Sequence, residues 1–172
     1  VSTFEEYFTK TCSNLTEEGS KNLAEIYNNK RPNYCGLPFD DYLLFDVELV
    51  DKSVRSLGRG KAAGLDRLTA EHLQYSHPAL FSLLTRLFNL MIEHGYVPGG
   101  FGRSYTIPLP KSNYASVSKS LTVDDFRGIS ISPVLSKVFE KCILDRYHRF
   151  LETSDNQFGF KKGIGCSHAI YS

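Results

Sequence analysis

Two basic residues, Lys111 and Arg127, stand beside segments that have the alternating pattern of β-strands. Residues 103–111 and 126–131 each alternate apolar with smaller or polar residues, which predicts two half-buried strands joined by a polar loop over 112–124. If the strands pair as a hairpin, both cations reach the same region. Lysine offers a mobile point charge and arginine a planar fork, which together suit a triphosphate. The alternative is that both are solvated surface charges, as basic residues at strand ends usually are.

Two other chemistries are excluded by residue spacing. Gly60 and Lys61 do not belong to a phosphate-binding loop of the Walker type, because Arg55 stands where its first glycine is needed and Ala62 where Ser or Thr is needed. The cysteines are too scattered for a zinc site or a disulfide framework, which predicts free, mostly buried thiols at Cys12, Cys35, Cys142 and Cys166.

Helical periodicity and end signals predict the elements that position these residues. Asp46, Thr69 and Pro78 are predicted to start three of the helices, and Gly95 to end the third of these. The predicted helices cover residues 4–11, 16–29, 47–57, 69–75, 78–94 and 134–151. The buried faces are predicted to contain Leu80, Leu83, Leu84, Leu87, Phe88, Leu90, Met91 and Ile92, and Val138, Phe139, Ile143, Leu144, Tyr147 and Leu151. Together the elements predict a helix-rich α+β fold with a small antiparallel hairpin.

The composition fits roughly one domain, with 172 residues of which 41% are hydrophobic. The net charge of +1 argues against a dedicated nucleic-acid binder. Residues 1–60 carry seven basic and ten acidic side chains and residues 61–172 carry thirteen and nine, so the second part is compatible with polyanion contact. No leader and no apolar run of ~18–20 residues is present, which predicts an intracellular protein of the cytoplasm or nucleus without a membrane partner.

Four ordered blocks resemble successive motifs of the reverse transcriptases of non-LTR (LINE-type) retrotransposons. They are Gly-Lys-Ala-Ala-Gly-Leu-Asp at 60–66, Tyr-Thr-Ile-Pro-Leu-Pro-Lys at 105–111, Asp-Phe-Arg-Gly-Ile-Ser-Ile-Ser at 125–132 with Lys137 and Glu140, and Gln-Phe-Gly-Phe at 157–160. The order and spacing of the four blocks are far more specific than any single one. The resemblance covers about residues 45–172 and, with less specificity, residues 1–45 resemble the linker upstream of the polymerase domain.

Four positions depart from the family pattern. Leu65 and Arg67 stand where the first block usually has proline and its second glycine, Gly128 where proline commonly follows the arginine, and Lys161 where arginine is common. Gly128 is a known variant within the family and keeps Arg127 in place. Leu65 and Arg67 indicate a diverged or decayed copy.

The resemblance implies a role for each block. Lys111 and Arg127 would contact the triphosphate of an incoming deoxynucleoside triphosphate from the fingers hairpin. The first and fourth blocks would lie along the RNA template or brace the palm, through Lys61, Gly64, Gln157, Gly159 and Phe160. The partners implied for the full-length enzyme are an RNA template, a DNA primer and Mg²⁺.

The metal-binding aspartates of the family are expected beyond this sequence. The family takes them from a first palm strand just after the fourth block and from a later aromatic-x-Asp-Asp turn, whereas no Asp or Glu follows Gln157 here. The aromatic-Asp-Asp string at 39–41 precedes every block and is predicted to be a solvated acidic loop. The sequence is therefore predicted to be a fragment, with a helical linker over 1–45 and the fingers and early palm over 46–172, and to hold no catalytic residue and no metal.

Two alternatives from other classes remain open. The chain could be a non-catalytic nucleic-acid-binding remnant that keeps its basic surface, or a domesticated interaction domain without a nucleic-acid role. Steeply salt-dependent RNA binding favours the remnant, and no measurable binding at low salt favours the interaction domain.

We expect the isolated 172 residues to give no primer extension with any divalent metal, because the family's metal-binding aspartates are absent from the sequence. A primer-extension assay on a purified RNA template and DNA primer measures this directly. Template-dependent extension by a homogeneous sample would contradict the expectation.

Overall fold

A computed structural model describes residues 2–12, 17–30, 32, 43–111, 122–151, 157–158, 163–165, 167 and 170. The helices are α1 (Ser2–Cys12), α2 (Glu17–Lys30), α3 (Val47–Arg55), α4 (Ala70–Gln74), α5 (Ala79–Glu93) and α6 (Val134–Arg146). The strands are β1 (Tyr105–Pro110) and β2 (Phe126–Ile131), and short 3₁₀ turns lie at Gly99–Gly102, Val123–Asp125 and His148–Phe150. Helices combined with a small antiparallel hairpin confirm the predicted α+β class.

The end signals predicted at Asp46, Thr69 and Gly95 are confirmed. The Asp46 carboxylate accepts a hydrogen bond from the backbone N–H of Leu49 at 2.7 Å and so caps α3. Thr69 begins α4 with an extended backbone, and its N–H donates to the His72 ring at 3.1 Å in a capping box. Gly95 ends α5 in the left-handed region at φ +57°.

The core lies where α3, α5 and α6 meet. Phe139 of α6 is at its centre, with ring centroids 5.2 Å from Phe88, 6.1 Å from Phe45 and 6.2 Å from Phe101. The fully buried side chains include Phe88, Val50, Val54, Val138 and Cys142. Burial of such side chains contributes about 1.5–3 kcal/mol each for the larger ones, so this three-helix contact supplies most of the apolar stabilisation. None of the described helices is long and apolar enough to cross a membrane.

The prediction that α5 buries a wide apolar face is wrong for one side of the helix. Leu83, Leu87 and Leu90 are 66%, 40% and 43% exposed, whereas Phe81 and Thr85 are buried. The cause is that α5 packs against the core through one side only, and the three leucines lie along the other. The sequence alone could not tell which side of an almost wholly apolar helix meets a partner.

The end of α6 and part of its predicted buried face are also corrected. The helix ends at Arg146 rather than near Leu151, and Leu144 and Leu151 are 58% and 50% exposed. Val138 and Phe139 are buried as predicted, and Cys142 is buried with them. Leu144 follows Cys142 by two residues, or ~200° of helix rotation, which turns it away from the core.

Two amide side chains close the ends of α3 in a way that the sequence did not predict. Gln74 donates to the carbonyl oxygens of Val54 at 3.1 Å and Leu57 at 3.0 Å, which satisfies acceptors left free at the end of a helix. Asn89 accepts from the N–H of Phe45 at 2.8 Å and donates to its carbonyl at 3.0 Å. Helices α4 and α5 are thereby fixed to α3 by hydrogen bonds as well as by packing.

The segment over residues 58–66, called the connector, crosses the start of α6 at contact distance. A Cβ added to Gly64 would lie 2.8 Å from Pro133 Cα and 2.9 Å from Ser132 O, both backbone atoms. Just beyond the connector, Arg67 adopts the left-handed backbone at φ +59°, a conformation that favours glycine. The sequence around 58–67 is thus shaped by close backbone approach and by one strained residue.

We expect Gly64→Ala to destabilise the protein by about 1–3 kcal/mol, because the new methyl group meets backbone that can yield only by moving the start of α6. Urea unfolding followed by circular dichroism measures the loss. Gly100→Ala is the matched control, since a Cβ there meets nothing within 4 Å. Equal stabilities for the two variants would contradict the packing role of Gly64.

Arg67→Gly is expected to stabilise the protein by about 1 kcal/mol, because glycine adopts the left-handed region without the steric penalty of a side chain. The same unfolding assay applies. Arg103→Gly removes the same side chain at an ordinary φ of −93° and should instead destabilise. A loss of stability in both variants would show that the Arg67 backbone is not strained.

Candidate functional site

The register of the hairpin brings Lys111 and Arg127 to one end of one face. Leu109 of β1 lies opposite Arg127 of β2, and the ladder continues one step further because Lys111 N–H donates to Asp125 O at 2.8 Å. Side chains alternate between the two faces of a strand, so Lys111 shares the face of Leu109 and Arg127. Diagonal neighbours on such a face are ~7–8 Å apart, a separation that two contacts to one polyphosphate can span.

The two cations differ in how much of their bonding capacity is used. The Lys111 ammonium donates to the carbonyl oxygen of Asp124 at 2.6 Å, which draws it back over the turn before β2. Arg127 is exposed, and no residue within the described ranges accepts a hydrogen bond from its guanidinium. Its planar fork is therefore available for a bidentate contact with an anionic ligand.

The neighbouring acids are engaged by other groups. Asp125 accepts from the N–H and the hydroxyl of Thr122, both at 2.9 Å, in a local capping box. A side-chain hydrogen bond with Asp124 raises the pKa of the Tyr7 hydroxyl of α1. The end of the hairpin is thus of mixed charge, with the arginine as its open cation.

One face of the hairpin is open and apolar. The register places Tyr105, Ile107, Leu109, Arg127, Ile129 and Ile131 on it. Ile107, Leu109 and Ile129 are 39%, 42% and 41% exposed. No described element covers this face fully, and Arg127 lies on the same face.

Helix α1 contacts part of the opposite face. The Phe4 ring meets the Phe126 ring edge-on at 5.1 Å between centroids. A Cβ on Gly128 would come within 2.9 Å of the Thr106 methyl group and 3.1 Å of the Phe8 ring, so this helix also lies close to the middle of β2. The sequence predicted this helix only as part of the upstream linker. The aromatic residues Phe4, Tyr7 and Phe8, spaced three and four apart, were the signal for a buried helical face.

The connector joins the base of the hairpin and the start of α6. The Tyr105 hydroxyl donates to the carbonyl of Ala63 at 2.8 Å, one residue before the buried Gly64. The Glu71 carboxylate accepts from Gly60 N–H at 2.5 Å, and this bond holds the pKa of Glu71 below its ordinary value. Lys61 is exposed between these two anchored points. The structure therefore gathers the first three sequence blocks around one junction.

The remaining predicted contact residues are only partly described. Gln157 is exposed, whereas Gly159 and Phe160 lie outside the described residues, as does the acidic string at 39–41. Gly64 is buried, so the role that the structure gives it is packing against Ser132 and Pro133. Its predicted template contact, like that of Lys61, stays a prediction. Within the described ranges, no three His, Cys, Asp or Glu side chains form a group that could hold a metal ion.

Comparisons with known proteins add no assignment to this geometry. No protein-family model matches the chain, and no curated protein matches it. The functional interpretation therefore depends on the residues of the hairpin, the connector and the start of α6.

Proposed function

We propose that these residues form the fingers and early palm of an RNA-directed DNA polymerase of the non-LTR retrotransposon type. In this proposal Lys111 and Arg127 hold the triphosphate of an incoming deoxynucleotide, and the connector contacts the RNA template. The observation that supports it most strongly is the hairpin register, which sets the two cations on one face at one end.

The chemistry of the open face fits a nucleotide. Arg127 can present its fork to phosphate oxygens, and Lys111 can add a mobile point charge beside it. Leu109 and Ile129 supply apolar surface next to these cations for the sugar and base. Phosphoryl transfer relies on positioning and on charge stabilisation of the phosphates, and the proposal assigns these two tasks to the hairpin.

The backbone at Arg67 also supports the proposal. The resembling family usually has glycine at this position, and Arg67 adopts the left-handed φ of +59° that favours glycine. The local fold that a glycine would serve is therefore kept where the glycine itself is replaced. Close packing at Gly64 gives a physical reason for a second glycine of the same block.

The described residues offer no site for the metal ion of the family that the sequence resembles. The family holds Mg²⁺ with aspartates, which activate the primer hydroxyl and stabilise the leaving pyrophosphate. The described residues offer no group of carboxylates that fits such a site. The proposal is accordingly restricted to what the cations of the hairpin and connector do.

Two other functions would use different surfaces. A nucleic-acid-binding remnant would use the same cations on RNA without binding a deoxynucleotide. An interaction domain would use the apolar stripe of Leu83, Leu87 and Leu90 on α5, which no described element covers fully. Deoxynucleotide binding separates the polymerase role from both.

We expect Arg127→Ala to weaken the binding of a fluorescent deoxynucleoside triphosphate about ten-fold, because one charge-assisted contact contributes roughly 1.5 kcal/mol. The affinity of Arg127→Lys should lie between those of the wild-type protein and Arg127→Ala, since lysine keeps the charge but lacks the planar fork. Lys111→Ala is expected to lose less, because the Lys111 ammonium is already bonded to Asp124 O. Fluorescence anisotropy at fixed ionic strength measures all three.

Arg86→Ala is the matched control, since it removes one guanidinium from an exposed position of α5. It should leave the Kd for the deoxynucleotide unchanged. Equal weakening by Arg86→Ala and Arg127→Ala would show a general charge effect and contradict the proposal. An RNA-binding defect in Arg127→Ala without any deoxynucleotide binding would favour the remnant.

A further inference from the structure

A small pocket lies between the connector and the start of α6. Its volume is about 100 Å³, several times what one water molecule requires. Its polar lining comes from Lys61, Thr69, Ser132 and Lys137, and the rest is small or apolar. The pocket thus combines residues from three separate parts of the sequence.

Two lysines line this pocket, and its wall contains no acidic residue. No residue within the described ranges forms an ion pair or a side-chain hydrogen bond with Lys61 or Lys137. Asp66 at the end of the connector accepts a hydrogen bond from Leu68 N–H at 3.2 Å, and Glu71 on α4 accepts from Gly60 N–H. Glu140 is exposed one turn further along α6. Like charges that share a concave surface repel each other unless an anion lies between them.

The walls of the pocket are held by close contacts. Gly64 lies against Ser132 and Pro133 with no space for a Cβ, and Ala63 is bonded to the Tyr105 hydroxyl. Gly60 is bonded to Glu71 on α4. The backbone on both sides of Lys61 is therefore fixed, so little ordering is needed when a ligand enters.

We propose that this pocket, the Lys61–Lys137 pocket, binds one phosphate group of single-stranded RNA. Two lysines and the Ser132 hydroxyl suit a tetrahedral oxyanion with exposed oxygens, and such a contact does not depend on base sequence. The RNA identity rests on the proposed polymerase function, whereas the oxyanion chemistry rests on the pocket. Lys137 is thereby assigned a binding role beside Lys61.

The pocket is separate from the deoxynucleotide contacts at the end of the hairpin. The pocket is joined to Tyr105 at the start of β1, and Lys111 follows the end of this strand. Six residues of strand at ~3.3 Å each place the two regions roughly 20 Å apart. Substitutions at such a distance usually act independently, so the two sites can be tested one against the other.

The test is a double-mutant cycle on binding of a labelled single-stranded RNA, measured by anisotropy at several salt concentrations. Lys61→Ala and Lys137→Ala should each weaken binding several-fold and reduce the slope of log K against log salt by about 0.7. The double variant should lose less than the product of the two single losses, because both lysines hold the same phosphate. Lys137→Arg should keep the salt slope, which separates charge from folding.

Lys21→Ala on α2 is the control, since it removes an exposed lysine from a helix remote in sequence from the pocket. If Lys137→Ala binds RNA as tightly as Lys21→Ala does, the proposed phosphate site in the pocket is wrong. Deoxynucleotide binding at Arg127 is not affected by that result. If Lys137→Ala weakens RNA binding as expected but the wild-type protein binds no deoxynucleotide, the pocket is supported and the polymerase proposal is contradicted. Failure of the wild-type protein to bind RNA would overturn the pocket proposal.

Discussion

The contact of Gly64 with the backbone of Ser132 and Pro133 determines where the other parts of the site lie. It fixes the connector against the start of α6, at a distance that leaves no space for a side chain. The next residue back, Ala63, is bonded to Tyr105 and so fixes the base of the hairpin to the same point. One close approach thereby sets the relative positions of three sequence blocks that are otherwise separate along the chain.

The hairpin depends on this junction at its base and on α1 along one face. Phe4 and Phe8 contact the side of the sheet that carries Phe126 and Gly128. The other side stays open. Its apolar residues Ile107, Leu109 and Ile129 are about two-fifths exposed, and Arg127 lies beside them. An isolated two-stranded sheet is marginal in water, so the contact with α1 on one face helps to stabilise the surface that the proposed function needs on the other.

Local signals in the sequence predicted the features that depend on interactions between residues close together in the chain. The hairpin, the caps at Asp46 and Thr69 and the stop at Gly95 follow from turn chemistry, strand alternation and capping preferences. The buried side of α5 did not follow, because nearly all of its faces are apolar and only tertiary packing distinguishes them. The docking of α1 and the meeting of Lys61 with Lys137 likewise depend on long-range contacts that no window of the sequence contains.

The central claim is that the open end of the hairpin binds a triphosphate, and chemical-shift mapping tests it most directly. A deoxynucleoside triphosphate would be titrated into the ¹⁵N-labelled protein while the backbone amide resonances are recorded. We expect the largest shifts at Leu109, Lys111 and residues 125–129, with little change along α5. Shifts confined to the exposed leucine stripe of α5, or no shifts at millimolar ligand, would contradict it.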